Sequence, residues 1–200
     1  HKEHGLRYRI DLERAYFTPR LGTERLRVAN LVRPGEAAFD MFSGVGPFAL
    51  LISKRGAKVV AVDKNPEAVR LLRENACLNR INDIVILEAD AADLAEQFAN
   101  QADRVIMNLP HSARDFLWAA MRIAKDGGVV HYYAIAPEDD LFGRDTAFVE
   151  EAASASGVKA EILRRGVVRS YAPHEYNIVI DFAVHKPDKA EEAPEAGPGP

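Results

Sequence analysis

The stretch Asp40–Leu50, "DMFSGVGPFAL", constrains this chain more than any other. The apolar run Ala37–Phe42 reads as a strand, Gly44 and Gly46 as a tight turn, and Pro47–Arg55 as a helix that Gly56 stops. A glycine turn between a strand and a helix brings backbone N–H groups and a helix N-terminus to one point. In open α/β sheets a nucleotide-like ligand binds there. The corner alone does not say which ligand.

The rest of the chain alternates in the same way. Residues 6–12 alternate like a strand, and 24–33 read as a helix stopped by Pro34-Gly35. Lys58–Asp63 is a buried strand, Pro66 opens the long helix "EAVRLLRENACLNR", and Ile84–Leu87 is a strand followed by a short helix near Ala92–Asn100. Arg104–Met107 is a strand ending in "NLPH". Ser112–Ala124 is a helix with Ser112 as its cap, Val129–Ile135 a strand, and Thr146–Ser156 a helix. Ala160–Val168 and Tyr176–Val184 are separated only by "RSYAPHE" and so pair antiparallel. This order predicts an α/β fold: a Rossmann-like, mainly parallel seven-stranded sheet with helices on both faces and an antiparallel C-terminal hairpin.

Three segments follow. Residues 1–33 form a strand and helix leading into the main domain. They are expected to be the end of a longer parent chain, since the sequence opens on His1 and enters a strand pattern at once. Residues 34–186 form the domain itself, and 187–200, rich in Pro, Gly, Ala and Glu, are expected to be disordered. No apolar run reaches the roughly 20 residues that cross a bilayer, so no membrane partner is expected. A single cysteine, Cys77, excludes an internal disulfide framework and fits a cytoplasmic protein. The scattered histidines show no metal-ligand spacing, so no metal site is expected. Nothing in the pattern calls for an oligomer, and the expected state is a monomer.

Charge narrows the ligand. Asp40, Asp63 and Asp90 each fall at the end of one of three successive strands. That edge repels a pyrophosphate, and Ala49 stands where a dinucleotide fold has its third glycine. It suits a ligand with an amine, a ribose diol and a sulfonium charge, which is S-adenosylmethionine. Residues 1–33 carry an excess of arginine that suits either a phosphate-contacting surface or a solvated face.

The fourth strand ends in Asn108-Leu109-Pro110-His111, where amino-methyltransferases usually have Asn/Asp-Pro-Pro-aromatic. Leu109 and His111 depart from that pattern. Cys77, mid-helix, reads as a packed small side chain rather than the nucleophile that carbon-5 methylation of a pyrimidine requires. Met107 and Trp118 read as core.

From about Gly5 to Lys186 the chain resembles the catalytic part of the archaeal and eukaryotic tRNA (guanine-37-N1)-methyltransferases. The resemblance is carried by "YFTPRLGTERLR", "DMFSGVGPF", "VDKNPEAV", "DRVIMNLPH", "GGVVHYY" and "RSYAPHEYNIVIDF". It implies methyl transfer from S-adenosylmethionine to N1 of guanosine 37 of tRNA, with Glu24 as general base. Read alone, Glu24 is a first-turn helix acid. The resemblance further implies that Tyr16, Asp40, Phe42, Gly44, Gly46, Asp63, Asp90, Asn108 and Leu109 meet the cofactor. Asn108 and Pro110 would shape the pocket around the methyl group and the guanine. Arg20, Arg25 and Arg27 flank Glu24 and could hold phosphate or guanine O6. His111, Arg169, Tyr171 and His174 are placed where RNA could touch them. Phe42 and Tyr16 equally suit core aromatics, and "SYAPHEY" equally suits a plain hairpin loop. Two other readings stay open. One is aminocarboxypropyl transfer at the same nucleotide, by a sister family that lacks the Asn-Leu-Pro turn, or methylation of a wyosine precursor there. The other is a binding fragment without turnover.

Overall fold

The computed structural model describes residues 1–187; the tail expected to be disordered, 187–200, lies outside them from residue 188 on. A two-stranded hairpin, β1 (Lys2–Glu3) and β2 (Leu6–Arg7), precedes helix α1 (Gly22–Leu31). Then come β3 (Ala37–Asp40), α2 (Pro47–Lys54), β4 (Lys58–Asp63), α3 (Pro66–Leu78), β5 (Ile84–Glu88) and β6 (Ala102–Met107). Helix α4 (Leu117–Ile123), β7 (Ala124–Pro137), α5 (Gly143–Ala155), β8 (Lys159–Ala172) and β9 (Glu175–His185) complete the domain. The seven-stranded sheet has the order β5-β4-β3-β6-β7-β9-β8. β3 to β7 run parallel, while β9 is antiparallel to both β7 and β8. The expected fold class holds.

Two apolar layers clamp the sheet, as side-chain alternation along strands requires. Phe39, Val105, Tyr132 and Phe182 face α4 and α5, whereas Ala38, Ile106, Tyr133 and Val179 face α1 and α2. The chain moves outward from β3 to β5 and then returns to β6 on the other side of β3. The carboxyl ends of β3 and β6 are therefore the switch point at which open α/β sheets bind ligands.

Several local expectations are corrected. Beyond Arg7 the segment 8–12 is not a strand: the side chain of Asn75 on α3 takes the backbone bonds of Arg9, whose N–H donates to Asn75 Oδ1 at 2.6 Å while its carbonyl accepts from Asn75 Nδ2 at 3.1 Å. Residues 92–100 form successive turns instead of a helix. So short a helix is marginal on its own, and the segment is held by Phe98 packing on Phe39 at 5.2 Å. Helix 112–124 splits into a 3-10 turn, Ala113–Phe116, and α4, and Ser112 makes no capping bond. Trp118 is 47% exposed, and Cys77 is exposed on α3; neither belongs to the core. Met107 does. Among the described residues no helix is long and apolar enough to cross a membrane.

Candidate ligand site at the sheet switch point

The glycine corner is built as its sequence demands. Gly46 has φ of +91°, and a Cβ there would come 2.1 Å from Leu72 Cδ1, so both backbone and space require glycine. Pro47 then occupies the first turn of α2, where its missing N–H costs nothing. Asp63, at the end of β4, accepts the Gly44 N–H at 2.7 Å and the Asn65 N–H at 2.9 Å. That carboxylate thereby ties the turn after β3 to the turn after β4.

A cavity of about 180 Å³ opens here, walled by Tyr16, Phe42, Gly44, Asp63, Asn108 and Leu109 among others. Six of the expected ligand residues thus share one hollow. Ser43, Asn65 and Thr18 line it as well and were not singled out from sequence. Tyr16 is 75% exposed, a rim residue and not core. Phe42 does both jobs, lining the cavity while packing edge-on against Phe116 at 5.0 Å. Asp90 stands two residues past β5, and its carboxylate accepts the Ala92 N–H at 3.0 Å, outside the cavity wall. The larger hollow of about 910 Å³ opens around Arg33–Glu36 and Gly127–Gly128, at the opposite ends of these strands, away from the acids.

Asp40 ends β3 fully buried, and neither of its carboxylate oxygens has a hydrogen-bond partner; Asn108 Oδ1 is also buried and unpaired. Burial pushes Asp40 up to about 7; the Phe42 and Ala49 amides, close by but without a well-formed hydrogen bond to it, pull the other way, and the nearby Asp63 charge adds to the rise. Asn108 therefore brings a buried acceptor without a donor to the cavity wall, the arrangement an amine- or hydroxyl-bearing ligand completes, whereas Asp40 is not itself a wall residue.

The arginines around Glu24, on α1 and the 3-10 turn Pro19–Leu21 before it, differ in what they bond. Arg25 is 1% exposed and grips Glu3 through two bonds of 2.6 and 2.7 Å, so it is not free to hold a phosphate. Arg27 donates to both oxygens of Glu24 at 2.9 and 2.7 Å and to Asp181 at 2.7 Å. Arg20 is exposed and makes no ion pair among the described residues. Glu24 is buried, and its Oε1 also accepts the Tyr133 hydroxyl at 2.7 Å. It is not on the cavity wall, although its neighbours Leu21 and Arg25 are.

From Asp181 the contacts continue to His131 Nδ1 at 2.6 Å, and His131 Nε2 faces Arg104 at 2.8 Å. Burial lowers the His131 pKa, so Nδ1–H donates to Asp181 and the neutral Nε2 accepts from Arg104. This cluster was missed in the sequence. Its signal was there: a histidine in "VVHYYAI" and an aspartate in "NIVIDFAV" interrupt apolar runs, and buried charges need partners.

On the far side of the Asn108–His111 turn, His111 Nε2 lies 3.1 Å from the Tyr171 hydroxyl. Arg169 stacks its guanidinium 5.6 Å over the Tyr171 ring. His174 occupies the β8–β9 turn with φ of +59° and bonds Glu138 at 2.7 Å. No group of three or more His, Cys, Asp or Glu side chains able to hold a metal ion is assembled among the described residues.

The sequence profile of the TRM5/TYW2 methyltransferase domain matches residues 1–163. The chain is 46% identical to the tRNA (guanine(37)-N(1))-methyltransferase Trm5b of Pyrococcus abyssi, over 92% of this chain and 54% of that protein. The solved structure of that enzyme superimposes with a TM-score of 0.85, covering 92% of this chain and 55% of that one. A tRNA(Phe) (4-demethylwyosine(37)-C(7)) aminocarboxypropyltransferase of Pyrococcus horikoshii is 32% identical over 93% of this chain and 67% of its own length. The M. jannaschii TYW2 structure in complex with AdoMet is 31% identical with a TM-score of 0.88, covering 94% of this chain and 85% of that one. The chain spans about half the length of the Trm5b relatives it matches.

Proposed function

The chain belongs to the TRM5/TYW2 methyltransferase family, and from that premise we propose that it transfers the methyl group of S-adenosylmethionine to N1 of guanosine 37 in tRNA. One observation carries the reading. The Asn108-Leu109 end of β6 walls the same hollow as Gly44 and Asp63, and Asn108 brings an unpaired buried acceptor to it. These residues fit the donor. Asp63 holds the ribose hydroxyls, and Asp40 accepts from the cationic end. Asp90 meets the adenine amine, while Tyr16, Phe42 and Leu109 give apolar contact and Gly44 and Gly46 allow close approach. At about 180 Å³ the hollow is below the roughly 300 Å³ of most ligand pockets. The donor therefore extends along the strand ends toward Asp90.

Bound there, S-adenosylmethionine supplies an electrophilic methyl group. The protein must supply the rest. N1 of guanine keeps its proton at neutral pH, so transfer needs a base and stabilisation of charge on O6. Glu24 is the base. Its Oε2 accepts one bond, from Arg27 Nε, and retains a lone pair for N1–H. Asn108 orients the base, and Pro110 shapes the pocket around it. Arg27, fixed between two carboxylates, is the guanidinium nearest the carboxylate of Glu24 for charge on O6, and the exposed Arg20 is placed for phosphate.

A second reading, aminocarboxypropyl transfer at the same nucleotide, is favoured by the 32% identity to the P. horikoshii enzyme. The test is incubation with unmodified tRNA and S-adenosylmethionine, followed by mass analysis of nucleoside 37. A gain of one methyl group supports the first reading, and an aminocarboxypropyl group supports the second. Donor binding without any product would make this chain a binding module.

A further inference from the structure

We propose that a second cavity, across the Asn108–His111 turn from the donor site, holds the RNA nucleotide adjacent to the target. Its base stacks on Tyr171 and its phosphate meets Arg114 and Arg144. The inference rests on the RNA substrate proposed above. The cavity is about 360 Å³ and is walled by Pro110, His111, Arg114, Tyr132, Arg144 and Tyr171. Asn108 and Leu109 line the donor hollow, whereas Pro110 and His111 line this one, so the two cavities meet at adjacent residues of one turn. Among the described residues every peptide bond is trans, and consecutive Cα atoms lie about 3.8 Å apart. The two mouths are thus within the reach of neighbouring nucleotides on one strand.

The walls carry the chemistry of single-strand recognition, an aromatic face with cations around it. Tyr171 is 40% exposed, yet its ring is fixed. His111 packs edge-on at 5.5 Å, and Arg169 covers the ring at 5.6 Å. Arg114 rests over Phe148 at 5.3 Å. Arg144 is anchored by Asp145 at 2.9 Å and by the Ile135 carbonyl at 2.8 Å. The acids of the wall are Asp145 and Glu175. Asp145 is buried, accepts the Tyr132 hydroxyl at 2.8 Å and is matched by Arg144, so it does not repel a phosphate. Glu175 suits the amine edge of a base.

The probe is a short single-stranded RNA with 2-aminopurine next to a guanosine. Titration with this chain is expected to quench the fluorophore as it stacks. Tyr171→Ala removes the quench and weakens binding about tenfold, the worth of one stacked base; Tyr171→Phe keeps the quench. Arg114→Ala weakens binding and lowers the salt dependence by about one phosphate contact. Asp63→Ala, in the donor site, leaves the quench intact. No binding of the probe by the wild type, or a quench that survives Tyr171→Ala, overturns the proposal. A Tyr171-dependent quench in a protein that transfers no methyl group keeps this pocket and removes the methyl-transfer reading.

Discussion

At the end of β3, Asp40 is 1% exposed and neither oxygen finds a partner. Three strands across the sheet, Asp181 on β9 is 4% exposed and is held by His131 at 2.6 Å and Arg27 at 2.7 Å. Burial drives the first up to about 7, helped by Asp63. Burial also pushes on the second, but the His131 hydrogen bond and the Arg27 ion pair outweigh it and hold Asp181 at about 2. One residue type, equally hidden, sits at opposite ends of the carboxylate range because of its neighbours. A carboxylate placed like Asp40 is incomplete without a cation. The Asp181 cluster is complete in itself and ties α1 to β7 and β9. Glu24 belongs by its contacts to the complete cluster and by its proposed role to the incomplete one.

That tension gives the largest expected effect. As the proton acceptor, Glu24→Gln lowers kcat about 10²–10⁴-fold with the KM for the donor unchanged. A variant that is less stable to urea but turns over normally would confine Glu24 to holding Arg27. Next is Asp181→Ala. It leaves His131 Nδ1 without an acceptor and strips Arg27 of one partner, which costs about 3–5 kcal/mol in urea unfolding. The pH dependence follows from the depressed value. The contribution is complete above the ordinary carboxylate value of 3.8 and is lost as pH falls toward 2, a change of roughly 2–3 kcal/mol. Asp181→Asn lacks that acid limb. If it retains it, other carboxylates carry the acid sensitivity.

On the incomplete side, Asp63→Ala is expected to weaken S-adenosylmethionine at least about a hundredfold by calorimetry, since hydrogen bonds to a charged acceptor are worth about 1.5–3 kcal/mol each. Unchanged affinity would move the ribose elsewhere and reduce Asp63 to its bonds with Gly44 and Asn65.

The two regions were not equally legible. Strand ends, glycines and helix starts are local features. Apolar runs placed Asp40 and Asp63 at strand ends, and Pro47 and Pro66 opened helices; of these, Pro47 and Asp63 line the hollow. Partner choice is not local. Arg27 and Asp181 are 154 residues apart, and Arg25 pairs with Glu3 across a hairpin, so nothing in "TERLR" said which arginine would be consumed by the fold. Backbone partners misled in the same way at residues 8–12, because an asparagine side chain on α3 can replace a neighbouring strand. Asp90 shows the limit from the other direction: its placement was foreseeable, but its carboxylate is engaged in a turn.

Asp40 offers a smaller but more specific test. Its folded-state value of about 7 exceeds 3.8, so the folded chain keeps a proton that the unfolded chain releases. Its burial therefore lowers stability as pH rises from about 4 to 7, and the cost is full above that. A cationic ligand beside it drives the proton off. Donor binding near pH 6.5 is thus expected to release up to about one proton, seen as a heat that varies with buffer ionisation enthalpy. Asp40→Asn should release none and bind about tenfold more weakly. A buffer-independent heat in the wild type would mean that no cation reaches Asp40.

The smallest effect tests where the complete cluster ends. Tyr133 is fully buried, and burial raises its pKa well above the usual phenol value, so its hydroxyl is a neutral donor to Glu24 across the working pH range. Tyr133→Phe keeps the ring against Phe48, 5.8 Å away, and removes one hydrogen bond, worth about 1 kcal/mol. In a Glu24→Gln background the same substitution should cost measurably less, because the charge that strengthens the bond is gone. An equal cost in both backgrounds would detach Tyr133 from Glu24. The carboxylate would then be held by Arg27 alone, and the boundary between the closed cluster and the ligand site would run through Glu24 itself.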